Sequence, residues 1–156
     1  MATRVLILEQ DVTLRETLEL LLEDAGYATI GVGEEDLARW ALRLSPHPLI
    51  VLIGHGSPLA VGLSLIEEAD TLPPHAYIVL STNPRAAPSV HNGHTQRTVP
   101  VVEVPSDVDV LLDAVAEAGN ALNATLQRER DQDASMSGRE PPARKKFAGG
   151  IGVACV

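Results

Sequence analysis

The sequence predicts an α/β domain with a parallel sheet covered by helices on both faces. Three observations carry this. Short, continuously apolar runs recur along the chain, segments with helical spacing alternate with them, and Gly or Pro punctuates the junctions. Arg4 to Leu8 (RVLIL) is the first such run, too apolar for a strand with one face in water. Thr13 to Ala25 follows, with Leu14, Leu18, Leu21, Leu22 and Ala25 on one side and Arg15, Glu16, Glu19 and Glu23 on the other, and Gly26 as its stop. Tyr27 to Val32 reads as the second strand. Glu34 to Leu44 reads as the second helix, with Leu37, Trp40, Ala41 and Leu44 expected inward, ended by Pro46 and Pro48.

Leu49 to Ile53 is the third strand and leads into Gly54-His55-Gly56-Ser57-Pro58. A helix is expected from Val61 to Ala69, a strand from Ala76 to Ser81, and a fifth strand from Thr98 to Val104, with Pro100 suggesting an edge. Ser106 to Asp109 resembles a capping box that opens a last helix reaching about Arg128. The segment from Asn83 to Arg97, where a fourth helix belongs, holds two prolines and a glycine, so a loop or a short irregular turn is expected. From Asp131 the composition turns to Ser, Gly, Pro and charge. The organisation expected is a domain over 1–128 and a disordered tail over 129–156.

Composition narrows the functions. A net charge of −9 argues against nucleic-acid binding by the folded domain, because phosphate neutralisation needs Lys and Arg. Cys155 is the single cysteine, which excludes an internal disulfide and a Cys-rich zinc site. No apolar stretch approaches the roughly 20 residues of a membrane helix, and the N-terminus lacks a signal-peptide core, so a cytoplasmic protein is expected.

"RVLILEQDVTLRETLELLLEDAGY", "PLIVLIGHGSP", "YIVLS" and "VEVPSDVDVLLDAV", in that order, resemble the receiver domains of bacterial response regulators over residues 3–126. The resemblance implies a flavodoxin-like (βα)5 sandwich with strand order 2-1-3-4-5 and a short or irregular fourth helix. In that family an acidic pair after strand one and an aspartate after strand three bind Mg²⁺, and the aspartate takes a phosphoryl group. A hydroxyl residue after strand four and a lysine before the strand-five proline read the phosphate. The corresponding residues here are Glu9 and Gln10, Gly54, Ser81 and Val104, with Val101 at the aromatic switch position and prolines at Pro58 and Pro105.

Glycine offers no carboxylate to phosphorylate, one acid is a thin magnesium site, and valine cannot pair with a phosphate. The resemblance therefore implies a vestigial pocket (Glu9, Gln10, Gly54, Ser81, Val104), no catalytic residue, no cofactor, and no metal beyond a weak candidate at Glu9. The expected function is that of a non-enzymatic pseudo-receiver in signal transduction that binds a protein partner, with homodimerisation left open. The alternative is a small-ligand or metal sensor using space vacated at Gly54 and Val104.

Other features have plain readings. His55 and Ser57 read as turn residues rather than substitute nucleophiles. Asp11 is the other candidate for that role, and it reads as part of the acidic end of strand one. His55, His91 and His94 read as solvated loop histidines rather than metal ligands. Glu9-Gln10-Asp11 reads as an acidic strand end facing solvent and capping the first helix. The basic cluster from Arg144 to Lys146 and the apolar end with Cys155 read as linker or docking peptide.

Overall fold

The computed structural model describes residues 3–57, 59–69, 75–82, 89–92, 95–104 and 107–138. Five parallel strands form the main sheet: β1 (Arg4–Leu8), β2 (Ala28–Val32), β3 (Leu49–Ile53), β4 (Ala76–Ser81) and β7 (Val101–Glu103), in the order β2-β1-β3-β4-β7. This is the predicted 2-1-3-4-5 arrangement. β1 lies between β2 and β3, pairing Leu8 with both Val32 and Ile53, so these three strands end level.

Strand alternation builds two cores. Leu6, Leu8, Val51, Ile53 and Val79 face one layer, where α2 (Glu35–Leu44) and α3 (Leu59–Ala69) cover them. Val5, Ile7, Ile50, Leu52, Ile78 and Leu80 face the other, beneath α1 (Val12–Asp24) and α4 (Val108–Ser137). Every residue of β3 is buried, as a central strand covered on both faces requires. The first helix starts where the sequence supplies a cap: the Asp11 carboxylate accepts from the Leu14 N–H at 2.9 Å. It stops at Gly26, whose φ of 94° a residue with a side chain rarely adopts.

Several expectations need correction. The segment expected to be irregular contains an antiparallel hairpin, β5 (Ser89–Asn92) with β6 (Thr95–Thr98), so Thr98 belongs to it rather than to the last strand of the main sheet. The signal in the sequence is Gly93-His94 between the two strands, because a glycine at the first of two connecting residues favours a hairpin. α4 does not end near Arg128 but continues to Ser137, so the predicted tail begins as helix. Its N-cap is Asp107, which makes no side-chain cap bond; Ser106, the first residue of the expected capping box, lies outside the described residues. Ala25 is exposed at the end of α1.

The largest correction concerns α2. Ala38 and Leu42 are its buried residues, while Leu37, Trp40 and Leu44 lie outward. Pro58, Pro105, Ser106, His94 and the basic and apolar stretches after Gly138 lie outside the described residues. So does most of the segment around Asn83. Among the described residues no helix is long and apolar enough to cross a membrane.

Candidate functional site

The candidate residues stand along the C-terminal edge of the sheet, where open α/β folds bind ligands. Glu9 follows β1, Gly54 follows β3, Ser81 closes β4 and Val104 follows β7. The Gly54 N–H donates to the Leu8 carbonyl at 2.8 Å, and the Val104 N–H donates to the Ser81 carbonyl at 3.0 Å, so both junctions continue the sheet ladder.

Glu9 is not on the surface. It is 0% exposed, which overturns the solvent-facing reading for Glu9, whereas Gln10 and Asp11 are exposed as expected. Its carboxylate turns toward the β3 loop and accepts two backbone N–H bonds, Asp11 on Oε1 at 3.0 Å and Gly56 on Oε2 at 3.1 Å. These bonds satisfy a buried acid that would otherwise be costly to desolvate. They are possible because residues 54 and 56 have no side chains. A Cβ on Gly54 would lie against the carboxylate, 2.7 Å from Glu9 Cδ and 3.0 Å from Glu9 Cβ. A Cβ on Gly56 would lie 3.0 Å from Cδ. Neither glycine has a positive φ, so close approach rather than backbone conformation accounts for both.

The surrounding loop is tied to the same strand end. The buried Ser57 hydroxyl accepts from the Gln10 N–H at 3.2 Å and donates to the Leu8 carbonyl at 3.5 Å. Arg15 reaches back from α1 to the Glu9 carbonyl at 2.9 Å. Ser57 is thus a tether, consistent with its reading as a turn residue. Gln10 is anchored through its backbone while the residue itself is exposed. Asp11 caps α1, so the predicted capping role belongs to it alone of the three. Sequence reasoning missed Gly56, whose N–H holds Glu9. A second glycine two residues after Gly54 was the signal.

The other half of the edge is more open. Gly54, Ser57 and Ser81 share a cavity of about 140 Å³ with His55 and Thr82. Beside it, Val104 and Leu80 line an apolar cleft of about 300 Å³ between α1 and the start of α4, with His55, Thr82 and Asp107 also on its wall. The space expected at Gly54 and Val104 is therefore divided: Glu9 takes the place of a Gly54 side chain, the small cavity lies between Gly54 and Ser81, and the larger apolar cleft lies at Val104. Among the described residues no three His, Cys, Asp or Glu side chains gather in a way that would hold a metal ion. His55 is exposed. His91 lies on β5 rather than in a loop.

Strand order, layers and the placement of these loops define a CheY-like receiver-domain fold, of the kind found in two-component response regulators. No protein-family model matches the chain, and no curated protein does either. Among solved structures, a CheY-like receiver domain from Methylobacillus flagellatus superposes with a TM-score of 0.61 at 20% identity, covering 76% of this chain and 99% of that one. One from Methanospirillum hungatei JF-1 gives 0.61 at 21% identity, covering 78% and 98%. A chain described as adenylate cyclase from Rhodopirellula baltica gives 0.71 at 17% identity, covering 85% and 98%. At these identities the likeness establishes the fold.

Proposed function

We propose that the chain is a pseudo-receiver: a non-enzymatic signalling module that works through protein contact without accepting a phosphoryl group. The observation that carries this reading is the Glu9 carboxylate lying where a side chain at residue 54 would begin. A receiver needs a carboxylate on residue 54 as nucleophile, and it needs the acid after β1 turned to a metal ion. Here residue 54 supplies no carboxylate, and Glu9 Oε1 and Oε2 each accept a backbone N–H. Gln10 is neutral, and Val104 cannot pair with a phosphate.

The test is incubation of the full chain with a small-molecule phosphodonor and Mg²⁺, followed by intact mass. The unmodified mass alone is expected, and an adduct of one phosphoryl group would contradict the reading. The apolar cleft beside Val104 favours a second reading, sensing of a small apolar ligand at the strand ends. A thermal-shift screen of apolar metabolites reads it directly.

A further inference from the structure

Helix α2 carries an apolar stripe that the described residues leave uncovered. Leu37, Trp40 and Leu44 are 52%, 67% and 69% exposed, while Ala38 and Leu42 hold the helix to the core. Spacings of three and four place the exposed residues one above another on a single face. One exposed leucine needs no explanation. A tryptophan between two leucines on a ten-residue helix makes a contiguous patch, and such patches mark contact surfaces.

Two features select the occupant. The stripe is nearly symmetric about Trp40 and Ala41, so reversing the helix exchanges Leu37 with Leu44. A two-fold axis through this point sets Leu37 of one copy against Leu44 of the other and brings both Trp40 rings to the centre. Charge follows the same symmetry. The first turn holds Glu35 and Asp36, and the last turn holds Arg43. Antiparallel pairing therefore brings the acidic end of each helix to the basic end of its mate, whereas parallel pairing sets like against like. The Asp36 side chain, in contact with Arg39 at 3.4 Å, is still 89% exposed and available to a second copy.

We propose that α2 is a homodimerisation helix, pairing antiparallel with α2 of a second copy through Leu37, Trp40 and Leu44. Three side chains fall short of the roughly 800 Å² per partner of a standard interface, so the dimer exchanges and its population depends on concentration. The pairing stands apart from the chemistry at Gly54, so its failure would leave the pseudo-receiver reading untouched.

Sedimentation equilibrium of the full chain over a concentration series, with emission read on the same samples, tests it. Trp40 is the single tryptophan and reports the stripe alone. The mass is expected to rise from one copy toward two, and the emission to move to the blue with the same midpoint. Leu37→Glu and Leu44→Glu are each expected to stay monomeric with red emission and an unchanged melting temperature, since both side chains are exposed. Asp36→Arg is expected to weaken the dimer about tenfold, and adding Arg43→Asp to restore it. Three results would overturn the proposal: a monomer with red emission throughout, a dimer insensitive to both glutamates, or blue emission independent of concentration. The last would place another segment of the same chain on the stripe.

Discussion

Where β1 and β3 end, the Glu9 carboxylate, the Ser57 hydroxyl and Arg15 tie the strand ends to the loop after β3. Where β4 and β7 end, the Val104 N–H donates to the Ser81 carbonyl beside an apolar cleft. On the first side, two glycines leave room for a buried acid, and the acid repays them by accepting N–H groups that flank the loop. On the second side, valine lines a cleft that no described residue fills. A small residue can therefore mark either an occupied position or an open one, and only the neighbour's reach tells which.

The closed side should be the more fragile. Glu9→Ala removes the acceptor of two N–H groups and opens a void at a fully buried position. A loss of about 2 to 3 kcal/mol is expected in urea unfolding. The opposite edge of the sheet supplies a pH-dependent contrast. His75 is buried there with Nδ1 accepting from the Leu49 N–H at 2.9 Å, and burial lowers its pKa from 6.5. The unfolded chain therefore takes up the proton first as the pH falls. Stability from this source is complete above 6.5 and is lost as pH drops from 6.5 toward the lowered native value. Comparing urea midpoints of the protein and His75→Gln across that range should show the slope shrinking in the variant. The open side should respond least: Val104→Met, reaching into the apolar cleft, is expected to change stability by no more than about 0.5 kcal/mol.

The three central strands were legible because each must satisfy two apolar layers, and that demand writes itself as RVLIL, LIVLI and AYIVLS. The helices were legible as helices, but not always by face. In α1 the leucines at 18 and 22 turn inward as expected, whereas in α2 a small residue, Ala38, sits against the sheet and the bulkiest side chains face out. Periodicity reports that a helix has an apolar face, not what covers it. Asp131 to Ser137 was misread as tail because its composition is polar, although a helix continuing beyond its core needs no apolar residues there.

At the candidate site the sequence located Glu9, Gly54, Ser81 and Val104 along the correct edge. It did not reveal that Glu9 turns inward. Acids are ordinarily read as solvated, and the burial becomes readable only when Gly54 and Gly56 are taken as a matched pair of absent side chains.

Gly54 is a glycine because Glu9 occupies its side-chain space, and a double-mutant cycle between the two residues measures that coupling. Gly54 has no positive φ, so alanine there brings no backbone strain and limits the unfolded chain. With Glu9 present, Gly54→Ala should cost about 2 kcal/mol of unfolding free energy; in Glu9→Ala the same change should be neutral or slightly stabilising. An equal cost in both backgrounds would contradict the account.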